Sequence, residues 1–245
     1  MRDMIVLPDS VAVAQAGAQR LAMFLLESQC LSSPVHVALT GGDTGIAVLS
    51  QLRANPLLDA ISWPDIHFWW GDERFVAISS AQRNDLAARQ ALLDHLPQAP
   101  GGIHRIGSPD QGISLERAAQ NYSAELRHHA VVFSLVLLGV GPDGHVASVF
   151  PGHGDGAGIE LPGAFPVPDS PKPPPARISL TLDTINAANE VWLMAAGAAK
   201  AGSVAASVRP PAVRSAGAPR PIPAARVAGR ERTVWLADAA AAARA

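Results

Sequence analysis

The sequence predicts an α/β fold, a mostly parallel sheet with helices on both faces and room for a small additional lobe. Three observations lead to it. Five short runs, residues 35–39, 66–70, 133–138, 191–195 and 233–236, are apolar at nearly every position. Strands with one wet face alternate; continuous apolar runs belong to strands covered on both sides. Helix-like stretches at 10–27, 44–53, 84–95, 114–128 and 198–208 lie between these runs. The glycine-rich, polar clusters follow the strand runs, which places them at the carboxyl edge of a parallel sheet.

The remaining segments are irregular. Residues 151–175 are dense in Gly and Pro and end in Ser170-Pro171-Lys172-Pro173-Pro174-Pro175, a stiff connector. Residues 209–232 are rich in Pro, Ala and Arg and are expected to form a long surface loop, while the Ala-rich tail 239–245 is helical by propensity. A lobe is expected around 71–110 or 150–175. With 245 residues, 48% of them hydrophobic, the chain can bury one sizeable core, so residues 1–245 are expected to form a single α/β domain.

Bulk charge excludes several classes. The net charge is −2 and the charged fraction 16%, with no basic stripe, so no nucleic-acid partner is expected. A phosphorylated ligand needs a local cationic site instead. The single cysteine, Cys30, rules out a disulfide framework and is expected to be a half-buried packing residue. No leader pattern is read at the start, and no apolar run approaches the ~18 residues of a membrane span. A cytoplasmic monomer without membrane partners is the expectation.

Four clusters carry the candidate chemistry. Thr40-Gly41-Gly42-Asp43-Thr44 follows the first run, Gly71-Asp72-Glu73-Arg74 the second, Gly139-Val140-Gly141-Pro142-Asp143-Gly144-His145 the third and Gly197-Ala198-Ala199-Lys200 the fourth. Each alone reads as an ordinary strand–helix turn. Together they bring Thr40, Thr44, Asp72, Arg74, Asp143, His145 and Lys200 to one edge. The Gly41-Gly42 turn lets the backbone approach a ligand, and the first amides of the following helix favour an anion. His145 beside Asp143 suits a general base, because a carboxylate fixes the imidazole tautomer and supports the imidazolium. Arg74 is either a surface ion-pair partner or a cation for developing oxyanion or phosphate charge. Ser148 lacks a nucleophile elbow, and His145 with His153 lacks a third metal ligand, so no metal is expected. His36, His67, His95, His104, His128 and His129 have no evident partners, and Trp69 and Trp70 read as core.

The stretches LTGGDTGIAVLSQL, WWGDERFV with RNDLAARQALLDHL, LLGVGPDGHVASVFPGH, PPPARISLTLDTINAANEVWLMAAGAAKA and TVWLADAAAA, in this order, resemble the 6-phosphogluconolactonase family. The likeness runs from about residue 37 to 242, and DSPKPPPARISLTL looks most like actinobacterial members. The resemblance implies a Rossmann-like fold shared with glucosamine-6-phosphate deaminase. It also implies hydrolysis of 6-phospho-D-glucono-1,5-lactone, the second step of the oxidative pentose phosphate pathway, without a cofactor. By position, His145 matches the family's base, Asp143 its acidic neighbour and Arg74 its active-site arginine. Gly41, Gly42 and Thr44 match the phosphate loop, and Arg177 and Lys200 match basic residues near the phosphate. Asp43 departs from the Ser or Gly usual there; repulsion predicts that it turns away from a bound phosphate.

Two other readings compete: a sugar-phosphate aldose–ketose isomerase or deaminase on the same fold, and a non-catalytic sugar-phosphate sensor. The deaminase relatives carry Ala-Phe-Asn-Glu-Pro where this chain has Ala147-Ser148-Val149-Phe150-Pro151, which favours the lactonase. A non-catalytic sugar-phosphate sensor would carry a helix-turn-helix segment, for which there is no room before residue 35 beyond one helix.

Overall fold

A computed structural model describes residues 2–208 and 221–245. The elements run β1 (Arg2–Leu7), α1 (Ser10–Leu31), β2 (Val35–Leu39), α2 (Gly42–Arg53), β3 (Ile66–Trp70), β4 (Asp72–Arg74), α3 (Asn84–Ala91), β5 (Gly102–Ile103) and α4 (Leu115–His128). They continue with β6 (Leu135–Gly139), β7 (Ala164–Val167), β8 (Arg177–Leu180), α5 (Leu182–Asn186), β9 (Glu190–Ala195), α6 (Ala201–Val208), α7 (Pro223–Arg226) and β10 (Arg232–Asp238).

Seven strands form one sheet in the order β1-β10-β9-β6-β2-β3-β5, and every neighbouring pair is parallel. All five residues of β2 are buried, as a strand covered on both faces requires. From β2 the chain steps outward to β3 and β5, then crosses back to lay β6 on the other side of β2. Adjacent β2 and β6 therefore send their connections in opposite directions, and the crevice at their carboxyl ends is the topological switch point of the sheet. The Thr40 hydroxyl bridges it, accepting from the Gly139 N–H at 3.2 Å.

A second, antiparallel sheet has the order β4-β8-β7. It draws β4 and β7 from the two windows in which a small lobe is expected and adds β8 from just beyond. Only Gly71 separates its first strand from β3, so that strand leaves the carboxyl edge of the large sheet and builds a wall beside the switch point.

Several expectations need correction. Cys30 is exposed rather than half-buried. Helix α1 runs a turn longer than expected; its buried stripe of Ala14, Gly17, Ala18, Leu21, Ala22 and Leu25 leaves position 30 on the solvent side. The expected helix 84–95 stops at Ala91 and ends in a 3₁₀ turn, Leu93–His95. The tail 239–245 forms turns and no helix. Of the expected loop 209–232, residues 209–220 lie outside the described residues. The rest carries α7 and opens β10. Trp69 and Trp70 are fully buried, as read. Among the described residues no helix is long and apolar enough to cross a membrane.

Candidate active site

The third cluster is a tight turn that folds back on itself. Asp143 and His145 are two residues apart, and His145 Nδ1 meets Asp143 Oδ1 at 2.6 Å. A contact that short needs a proton on Nδ1, which leaves Nε2 as the free acceptor. Gly141 makes the fold-back possible: a Cβ there would lie 2.0 Å from His145 Nδ1 and 2.4 Å from Asp143 Oδ1. Phe150 stacks on the imidazole with centroids 4.6 Å apart. Burial pulls the imidazole below its ordinary range, against the opposing pull of Asp143.

A residue absent from the sequence candidates completes this group. Lys172, on the proline-rich connector, places Nζ 3.6 Å from Asp143 Oδ1 and 3.3 Å from His145 Nδ1. Its protons face a nitrogen that already donates, so Lys172 acts as an ion-pair partner of Asp143. Arg177 holds this connector in place by donating to the Lys172, Pro173 and Pro174 carbonyls at 3.0–3.2 Å.

The wall opposite comes from β4. Arg74 and Arg177 are direct cross-strand partners on β4 and β8. Like charges in that position repel unless an anion lies between them. Asp72 supplies part of it, 3.9 Å from Arg177 Nη1, and is itself fixed by the Ser148 hydroxyl at 2.6 Å. Ser148 is thus an orienting donor to Asp72. Arg74 Nη1 donates to the Gln82 carbonyl at 2.6 Å, while Arg74 Nε is buried and has no partner among the described residues.

Glu73 explains why the GDER and RND stretches occur together. Its carboxylate, on β4, accepts from the Asn84 and Asp85 amides, both at 2.8 Å, and so caps α3 from a distant strand. Burial pushes the Glu73 carboxyl up, against the pull of Arg83. The cap positions Asn84, whose side chain presses on Gly41: a Cβ at Gly41 would lie 1.8 Å from Asn84 Oδ1.

These pieces enclose a cavity of about 540 Å³ over the switch point. Thr40, Gly41, Gly42 and Thr44 line it from the β2 side, and Asp72, Arg74 and Arg177 from the small sheet. His145 and Lys200 complete it, with Asp143 just behind His145. All the candidate residues are brought together, and Lys172 and Asn84 join them. Burial lowers the Lys200 ammonium, with Asp43 among the charges that oppose this. Asp43 is exposed, at the start of α2 among the residues that line the cavity.

An all-parallel sheet with a cation-rich crevice and a His–Asp pair at its switch point defines a class: α/β enzymes that do acid–base chemistry on small anionic substrates. The chain belongs to the family described as glucosamine-6-phosphate isomerases/6-phosphogluconolactonase, which matches residues 8–235. It is 43% identical to 6-phosphogluconolactonase of Streptomyces coelicolor, over 98% of this chain and 93% of that one. The corresponding enzyme of Mycobacterium leprae is 38% identical, over 96% and 95%. In structure the chain is similar to 6-phosphogluconolactonase of Thermotoga maritima, with a TM-score of 0.82, 25% identity and coverage of 97% and 100%. A monomeric glucosamine-6-phosphate deaminase shares the fold at 17% identity, with a TM-score of 0.76.

The geometry sets a pH dependence. A base acts deprotonated, so kcat/KM should rise with pH, with its midpoint below the free-imidazole value of about 6.5 because burial depresses His145. In Asp143→Asn the charge that raises the imidazole pKa is gone. The midpoint should move lower still and the plateau rate should fall. A midpoint that rises in this variant would contradict the assignment of His145 as base.

Proposed function

We propose that this chain hydrolyses 6-phospho-D-glucono-1,5-lactone to 6-phospho-D-gluconate, as a cytoplasmic monomer acting in the oxidative pentose phosphate pathway. The observation that carries the reading is a histidine paired through Nδ1 with Asp143, its Nε2 without a partner among the described residues, in a cavity also lined by Arg74, Arg177, Lys172 and Lys200. His145 takes a proton from water as the water oxygen bonds to the lactone carbonyl carbon. The carbonyl electrons move onto oxygen, and Arg74 with nearby backbone amides stabilises that oxyanion. As the carbonyl re-forms, the ring C–O bond breaks and the leaving oxygen takes the proton from imidazolium. Asp143 keeps Nδ1 protonated throughout and offsets the imidazolium charge. Water and groups of this chain, side chains and backbone amides, supply every atom and charge in the step.

The phosphate belongs at Gly41, Gly42 and Thr44 with Lys200, where helix α2 presents its first amides. Thr40 and Asp72 shape the floor of the site. Arg177 has a second duty, because three of its hydrogen bonds hold the connector that carries Lys172. The cleaner probe of phosphate is therefore Lys200→Ala. Loss of a charge-assisted contact costs about 1.5–3 kcal/mol, so KM for the phosphorylated lactone should rise ~10-fold or more. Unphosphorylated gluconolactone should be turned over as before. Equal losses on both substrates would remove Lys200 from the phosphate site.

The test of the whole reading is turnover of freshly generated 6-phosphogluconolactone, corrected for spontaneous opening. A deaminase would instead release ammonia from glucosamine 6-phosphate, and a sensor would bind without turnover.

A further inference from the structure

Five of the eight histidines gather away from the cavity, on the β5 side of the large sheet. The register explains the first part. His36 and His67 are partners on β2 and β3, and Trp69 follows His67 by two positions, on the same face. His104, just past β5, lies flat on Trp69 with ring centroids 3.7 Å apart and planes 5° apart. The end of α4 supplies the rest. Glu125 and His129 are four residues apart, on one side of the helix, and the His129 amide closes the last turn on the Glu125 carbonyl at 3.1 Å.

His104 is held from both sides: Nδ1 meets Glu125 Oε1 at 2.6 Å and Nε2 meets His67 Nδ1 at 3.0 Å. One ligand atom from each of His104, Glu125 and His129 lies within 4.8 Å of the others. None of these three residues lines the catalytic cavity.

We propose that His104, Glu125 and His129 form a binding site for a divalent transition-metal ion of the zinc class, remote from the reaction centre. The donor set decides the class. Two imidazoles and one carboxylate suit Zn²⁺ and its neighbours, whereas Mg²⁺ and Ca²⁺ call for oxygen ligands throughout. Three protein ligands leave a fourth tetrahedral position for water. In a tetrahedral site with ligands about 2.1 Å from the ion, donor atoms stand about 3.4 Å apart. Reaching that spacing lengthens the 2.6 Å contact between Glu125 and His104 and keeps all three donor atoms within the 4.8 Å they already span. His104 is buried and stacked, so it is the fixed ligand. His129 is exposed and Glu125 half-exposed, so they can close on the ion and give it a path in. His67, bonded to His104, is the orienting partner that ligating histidines usually have. Each hydrogen bond now joining these atoms holds a proton, and an entering ion must displace one. The bound ion would tie the end of α4 to the β3–β5 edge.

Titration of the chelator-treated full-length protein with ZnCl₂, followed by calorimetry, tests this. One equivalent should bind, with affinity lowered about tenfold or more in Glu125→Gln and in His129→Ala. His128→Ala should bind as the parent does, although His128 packs against His129 with centroids 5.2 Å apart. Co²⁺ should give tetrahedral visible absorption with the parent and not with Glu125→Gln. Circular dichroism of each variant should match the parent, since both side chains sit on the rim. If zinc fails to bind, the group is a packing cluster only and the proposal fails. Equal affinity in both ligand variants, or binding lost in His145→Ala, would place the ion elsewhere and also overturn it.

Discussion

Replacing His145 by alanine is expected to lower kcat on 6-phosphogluconolactone by roughly 10²–10⁴-fold, the usual contribution of a general base. The imidazole is held by Asp143 at 2.6 Å and by stacking on Phe150, and it lines the cavity. Neither the phosphate loop nor Lys200 depends on it, so the Kd of 6-phosphogluconate should change little. Progress curves corrected for spontaneous hydrolysis give kcat, and calorimetry gives Kd. Near-native turnover would mean that another group activates water. A parallel loss of product binding would mean that the variant has collapsed the cavity. Lys172→Ala separates charge from base: it should leave most of kcat and raise the midpoint of the pH profile, because a cation that lowers the imidazole pKa is removed.

Replacing Asp85 by alanine is expected to cost about 3–5 kcal/mol of stability, the scale for removing one partner of a buried ionic pair. Asp85 is fully buried. It accepts from Arg83 Nε at 2.8 Å and from Arg105, and its amide completes the Glu73 cap of α3. Arg83 is itself fully buried, with a further bond to the Ile106 carbonyl at 2.6 Å. Alanine would leave that guanidinium without its main counter-ion. Thermal unfolding should show a Tm lower by roughly 10 °C. The control is Arg89→Ala, which removes an ion pair to Asp94 whose two side chains are 36% and 43% exposed. Solvent screens such pairs, and a loss below about 1 kcal/mol is expected. Similar losses in the two variants would show that the buried network carries no special weight.

The two experiments probe one construction from opposite ends. Asn84 follows Arg83 and precedes Asp85. It donates to the Asp72 carbonyl at 2.9 Å and packs against Gly41. The buried charges thus hold a side chain that shapes the cavity, and weakening them should also raise KM.

The sequence by itself determined five strands of the large sheet and the edge at which the polar, glycine-rich clusters gather. Strands buried on both faces must be apolar throughout, so β2 and β3 were legible to the residue. Polar turns after such strands must fall on one side of a parallel sheet. The His145–Asp143 pair was legible because two residues in one turn meet through local geometry alone. Short or exposed elements were not. Strands β4, β7 and β8 have three or four residues, too few for a period to register. Strand β1, an edge strand whose residues are half-buried or exposed, was missed although Met4, Ile5, Val6 and Leu7 are apolar.

Only the tertiary structure decided which distant residues meet. Lys172 reaches Asp143 from the proline connector, Arg74 faces Arg177 across two sheet strands, and Glu73 caps a helix eleven residues on. The histidines lack partners when read along the chain. They become a group because β2, β3, the turn after β5 and the end of α4 converge on one face. Such contacts depend on register and on which face each side chain takes. A shift of one residue in a strand reverses that face, and nothing local in the sequence records the choice.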